Sequence, residues 1–183
     1  MNVLRQLRLG EQVTVWGELS VDGGWSLVQV DGVKGYVATQ YLEYVDEVYL
    51  NGQDADRVHL RREASQASSS LGLYFTGTQV NCLSDVRAEW VKVQIGAVTG
   101  YMMSKYLTTD AVEPQHPVAT VAHIASDSLL SLYQVPQERS ALSGEAPYGA
   151  EVTVLGETAD GWYYVQYGNM FGYVQTQYLS MEQ

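Results

Sequence analysis

The chain of 183 residues is 46% hydrophobic and 17% charged, which is enough apolar material for packed cores and too little charge for a disordered polyelectrolyte. Its net charge of −11 repels phosphate backbones and anionic membrane surfaces, and no Lys/Arg cluster exceeds Arg61-Arg62, so nucleic acid is not an expected partner. A single cysteine, Cys82, excludes an internal disulfide framework and a multi-cysteine metal site, and no apolar run reaches the ~18 residues that span a bilayer, so no membrane insertion is expected.

Fourteen tyrosines and 17 glycines against two phenylalanines suggest many short strands and tight turns. In chain order the same pattern recurs. Residues 1–45 carry Gly10 three residues before Val13, then Trp25, Val28, Gln29, Gly35-Tyr36 and Tyr41-Leu42, with Val21-Asp-Gly-Gly24 as a hairpin tip. Residues 46–109 repeat the order with Gly77, Val80, Trp90, Val93, Gln94, Gly100-Tyr101 and Tyr106-Leu107. Residues 110–117 contain Pro114 and Pro117 and read as a stiff linker. Residues 118–183 repeat it again. Gly149 to Gly156 alternates as a half-buried strand, Ala159-Asp160-Gly161 is a turn, Trp162 to Tyr167 is a second strand, and Gly168-Asn169 leads into Gly172-Tyr173-Val174.

Copies two and three superpose at a constant offset of 72 residues, from Leu60 and Leu132 through Gly72 and Gly144 to Leu107 and Leu179. Copy one matches copy two at an offset of 65 after its Trp and 67 before it, which places two extra residues in the turn at 21–24. Repeats of this kind predict an all-β chain, with about five short strands per copy closing into a small barrel that removes exposed edges. Copy one lacks the first strand and most of the first long loop. The expectation is that Met1 cuts into the repeat; the alternative is that another chain supplies the missing strand.

The string Gly149-x-x-Val152-x-Val154, then Gly161-Trp162-Tyr163-x-Val165, then Gly172-Tyr173-Val174-x-x-x-Tyr178-Leu179 resembles the bacterial SH3 (SH3b) family. The resemblance runs through three tandem copies, the first incomplete, and implies three tandem small SH3-like β-barrels. Copy two departs from the family opening with Val58-His-Leu-Arg-Arg-Glu-Ala64, and copy three reads Leu130-Ser-Leu-Tyr-Gln-Val-Pro136. The family's usual setting implies a secreted or envelope-associated bacterial protein that binds peptidoglycan or another cell-wall component, or a protein partner such as an attached hydrolase domain. Residues 1–20 carry no signal-peptide core. A more distant likeness to eukaryotic SH3 domains runs through Gly35-Tyr-Val-Ala-Thr-Gln-Tyr41-Leu. Their groove proline is here Ala38, Met103 and Gln175, so polyproline recognition is not expected.

Strand parity assigns the faces. If Tyr163, Val165 and Tyr167 face the core, then Trp162, Tyr164 and Gln166 face outward, and Trp25 and Trp90 follow by register. Outward aromatics make ligand platforms, so the candidate ligand-binding residues are Trp25, Tyr41, Trp90, Tyr106, Tyr133, Tyr148, Trp162, Tyr164 and Tyr178. The plainer alternative is that each Trp is covered by its own long loop or by a neighbouring barrel. Tyr133 and Tyr148 make copy three the fullest site.

Asn81-Cys82 faintly resembles the start of a cysteine-peptidase motif, but its register is that of Val15 and Val154, a core slot. His59, His116 and His123 lack metal-ligand spacing. Asn51-Gly-Gln-Asp54-Ala-Asp56 lacks the closing glutamate of a calcium loop. No cofactor, no metal and no catalytic residue is expected; the sequence reads as a binding module and not an enzyme.

Overall fold

The computed structural model describes residues 4, 6–7, 13–18, 24–30, 33–42, 47–53 and 55–181. The chain is all-β and SH3-like, and it divides into two compact units, Met1–Asp46 and Glu47–Gln183. Among the described residues no helix is long and apolar enough to cross a membrane.

The N-terminal unit is an antiparallel meander of β1 (Thr14–Glu18), β2 (Trp25–Val30) and β3 (Val33–Ala38), followed by a 3-10 turn at Thr39–Tyr41. In β2, Ser26 and Val28 are buried while Trp25 is exposed, the two-residue alternation of a strand with one covered face. Gly10 and residues 21–23 of the expected hairpin tip lie outside the described residues.

The second unit has a middle and a C-terminal lobe. The middle lobe comprises β4 (Val48–Leu50), β5 (Arg57–Arg61), β6 (Ser70–Phe75), β7 (Gln79–Cys82), β8 (Trp90–Ile95), β9 (Val98–Met103), a 3-10 turn at Ser104–Tyr106, and β10 (Leu107–Thr108). Val91, Val93 and Ile95 of β8 point into a core with Leu50, Leu60, Val80 and Met102, and the intervening Lys92 is exposed. Each such aliphatic side chain contributes about 1.5–3 kcal/mol of burial. The C-terminal lobe comprises β11 (Val118–Val121), β12 (Leu129–Tyr133), β13 (Leu142–Pro147), β14 (Glu151–Thr158), β15 (Trp162–Tyr167), β16 (Met170–Gln175), a 3-10 turn at Thr176–Tyr178, and β17 (Leu179–Met181). Its core gathers Leu132, Val152, Val154, Val165, Val174 and Leu179. The pairing Lys92↔Tyr101 with Arg61↔Tyr101 recurs 72 residues on as Tyr164↔Tyr173 with Tyr133↔Tyr173.

One expectation is corrected here. The sheets do not close on themselves; all strands of the second unit belong to a single continuous sheet. The reason is edge pairing. Strand β6 of the middle lobe bonds antiparallel to β14 of the C-terminal lobe through Tyr74↔Gly156, Leu73↔Glu157 and Gly72↔Thr158. Two exposed edges are thereby removed by joining each other rather than by separate closure. The approach requires glycine, because a Cβ at Gly156 would run into the Tyr74 ring and one at Gly72 would lie 2.6 Å from the Glu157 carbonyl oxygen.

Segment 110–117 lies along this junction. The Gln115 amide donates to the Thr76 carbonyl at 3.0 Å, His116 Nε2 lies 3.2 Å from Thr78 Oγ1, and the Val154 amide donates to the Pro117 carbonyl at 2.9 Å. The Thr78 hydroxyl donates across to the Leu155 carbonyl at 3.0 Å.

Candidate functional site

Three of the four tryptophans begin the first strand of a hairpin: Trp25 opposite Ala38, Trp90 opposite Met103, Trp162 opposite Gln175; the fourth, Trp16, lies within β1. The strand opposite then tightens into a 3-10 turn, whose first amide donates back to the carbonyl just before the tryptophan. These bonds are Thr39 to Gly24 at 3.2 Å, Ser104 to Glu89 at 3.0 Å, and Thr176 to Gly161 at 3.1 Å. The bond pins the turn carrying Tyr41, Tyr106 or Tyr178 to the base of the same hairpin.

The three places differ in cover. Trp25 is 41% exposed and Tyr41 78% exposed. Trp90 is half-buried, and Met103 opposite it accepts a hydrogen bond from Gln66 Nε2 at 3.6 Å, so the β5–β6 loop leans towards this end. Tyr106 packs against the middle core with the Lys105 ammonium 4.7 Å from its ring centre. Trp162 is only 7% exposed. The Tyr133 ring meets it edge-on at 5.8 Å, and its amide donates to Thr158 Oγ1 at 3.2 Å. Gln175, opposite Trp162, is held by Glu138 of the β12–β13 loop at 2.6 Å. Tyr178 packs on the C-terminal core, and Tyr148 stands half-exposed with its amide bonded to the Ser128 carbonyl.

Parity places Val165 in the core with Tyr163 and Tyr167 packed against it, while Trp162 and Tyr164 turn away. Turning away from one core does not leave them in water. Trp162 is capped by Tyr133, and Tyr164 packs against the core of the middle lobe.

Tyr164 therefore stands apart from the other candidates, in a junction the sequence reading missed. Its ring lies 4.9 Å from Tyr173, whose hydroxyl donates to the Ile95 carbonyl at 3.2 Å and accepts from the Ala97 amide at 2.9 Å. The β8–β9 turn comes so close that a Cβ on Gly96, which has φ +55°, would be 2.5 Å from that hydroxyl. Tyr74 is fully buried beside them, and its hydroxyl has no hydrogen-bond partner among the described residues. Burial raises the phenol pKa of Tyr74, Tyr164 and Tyr173, keeping all three neutral. A signal was present: at the offset of 72, Lys92 and Arg61 become Tyr164 and Tyr133, a charged outward row replaced by an apolar one.

Cys82 pairs with Val93 and packs against the middle core, and burial pushes its thiol pKa up, away from the thiolate. Desolvation lowers the pKa of His116 and of the exposed His59. Within 51–56 the Asn51 side chain accepts from the Gln53 amide, bracing a tight turn, and Asp54 lies outside the described residues.

Residues 128–180 match the family described as Bacterial SH3 domain. Along 97% of its length the chain is 22% identical to a curated protein named "Putative N-acetylmuramoyl-L-alanine amidase YrvJ" from Bacillus subtilis (strain 168). It spans 36% of that protein, about a third. Two solved structures are also similar, NlpC2 and NlpC1 from Trichomonas vaginalis. NlpC2 has 17% identity and a TM-score of 0.36, over 76% of this chain and 50% of that one. NlpC1 has 16% identity and a TM-score of 0.37, over 77% and 48%. The sequence expectation that this chain is not an enzyme is corrected by the curated match: a relative aligned along nearly the whole chain is named for an amidase, so exclusion of an enzymatic role does not stand.

Proposed function

We propose that the chain is the wall-directed part of a cell-wall hydrolase, secreted or held at the bacterial envelope, and that it recognises cell-wall peptide or glycan. The finer organisation belongs to the same proposal: three tandem bacterial SH3-like lobes at 1–45, 46–109 and 118–183, with 110–117 as the linker. Ligand is held at Trp25/Tyr41, at Trp90/Tyr106, and at Trp162 with Tyr133, Tyr148 and Tyr178. Tyr164 serves the last of these from the junction, by fixing the strand that carries Trp162.

The observation that carries the reading is the recurrence of one device, an aromatic pair pinned by the same amide-to-carbonyl bond at the base of three hairpins. Flat aromatic faces with a hydroxyl nearby suit sugars and peptides. Three weak sites on one chain gain avidity through linkage.

The test is a titration of the full chain with soluble peptidoglycan fragments, followed by tryptophan emission in the parent and in Trp25→Phe, Trp90→Phe and Trp162→Phe. A saturable change is expected, with its largest part lost in Trp25→Phe, the most accessible of the three. No saturable change with any fragment would overturn the proposal.

A second reading is favoured by the continuous sheet joining the middle and C-terminal lobes. A rigid two-lobe body suits a structural or protein-interaction array that packs on an attached catalytic domain and restricts its access to substrate.

A further inference from the structure

The charges of this acidic chain are unevenly placed. Six of the ten Lys and Arg residues lie within 47–109 (Arg57, Arg61, Arg62, Arg87, Lys92 and Lys105), balanced there by six acids. Residues 118–183 hold Arg139 alone against seven acids. The middle lobe is thus neutral overall but holds most of the chain's cations.

Two of those cations flank a tyrosine. Arg61 pairs with Tyr101, and Tyr101 with Lys92, so the three side chains form one row on the outward face. Arg61 is held by its Nη1 bond to the Ser68 carbonyl at 2.7 Å, and Lys92 is exposed. Among the described residues, no hydrogen bond or ion pair involves the Tyr101 hydroxyl or the Lys92 ammonium.

What such a row does is visible 72 residues later. In the corresponding row, Tyr133–Tyr173–Tyr164, two members seat a hairpin turn: Tyr173 grips the backbone of Ile95 and Ala97, and Gly96 rests against Tyr164, while Tyr133 meets Trp162. The middle lobe keeps the central tyrosine, with its hydroxyl able to both donate and accept, and replaces the flanking aromatics with cations.

We propose that the Arg61–Tyr101–Lys92 row is a docking site for the hairpin turn of a partner protein, one that carries an aspartate or glutamate at the place Gly96 fills in the turn seated on the C-terminal lobe. Tyr101 engages the turn's backbone, Lys92 at the place of Tyr164 faces its carboxylate, and Arg61 adds positive charge from the other side of Tyr101. The site is distinct from the aromatic pairs proposed to hold wall ligand, and charge complementarity sets its choice of partner.

The experiment uses the full chain, isotopically labelled, and two cyclised hairpin peptides copied from residues 92–101, one with Gly96→Asp and one with Gly96→Asn. Both side chains tolerate a positive φ and differ only in charge. The Asp hairpin is expected to bind about fivefold more tightly than the Asn hairpin, the scale of one partly exposed charge pair. Amide shifts should centre on Arg61, Lys92 and Tyr101. Lys92→Gln, an exposed change, should abolish the discrimination, and Tyr101→Phe should weaken both peptides. Equal affinity for the two peptides, shifts centred elsewhere, or no saturable binding of either would overturn the proposal. Because the readout is at Lys92 and Tyr101 and not tryptophan emission, its failure is separable from failure of wall binding.

Discussion

Tyr74 and Tyr173 lie side by side in the lobe junction and place opposite demands on their hydroxyls. That of Tyr173 is doubly bonded to the middle lobe, whereas that of Tyr74 is buried without a partner among the described residues. Removing a satisfied hydroxyl that leaves a buried amide and carbonyl unpaired costs about 1–2 kcal/mol, while removing an orphan relieves a desolvation penalty of similar size. Tyr173→Phe should therefore lower the urea midpoint of the second unit and Tyr74→Phe raise it; the reverse order would refute this account. At this scale the sequence reveals parity and register but not cover. Trp162 and Trp25 occupy the same strand position, yet one is sealed by the edge of Tyr133 and the other lies open. The difference is made by a side chain at the end of another strand, β12, whose approach no two-residue alternation within β15 encodes.

Strands were the most legible elements, because each hairpin combines alternating burial with glycine or Asx turns. Pairing between lobes was not legible. An edge strand offers backbone groups, which carry no residue-specific spacing, and the trace left in the sequence is the pair Gly72 and Gly156 that lets the strands meet. Gly156→Val should break this junction, since its side chain would run into the Tyr74 ring and the Leu73 carbonyl. Hydrogen exchange checks it. In the parent, amides of Gly72–Tyr74 and Gly156–Thr158 should be protected as long as those of the β8 core. In the variant their protection should fall at least tenfold, the equivalent of about 1.4 kcal/mol, while the β8 core remains slow. Unchanged protection would mean that the junction contributes little to holding the lobes together.

For the whole molecule, the net charge of −11 and the buried phenols act in the same direction at high pH. Tyr74 and Tyr173 have pKa values raised by burial, so above about pH 10 the unfolded chain releases protons that the folded chain retains. Stability from these groups is complete below the unfolded value and is lost as pH rises toward the folded ones, by up to about 1.4 kcal/mol per pH unit for each phenol. Urea midpoints of the parent should fall between pH 9 and pH 11, and Tyr74→Phe should flatten that fall; an equal slope in both proteins would contradict it. Tryptophan spacing pointed to the hairpins at Trp25, Trp90 and Trp162, but the joining of the middle and C-terminal lobes into one body could not be read there, because a proline-bearing segment such as 110–117 ordinarily reads as a spacer. Here that segment is fastened to both lobes, which are also stitched by a shared sheet edge, a tyrosine latch and the Thr78–Leu155 bond. A protease that nicked it would sever the covalent link without parting the pieces, which would travel on as a two-chain protein. Loss of everything beyond the nick would instead uncover the bonding edge of β6 and leave a sticky stump.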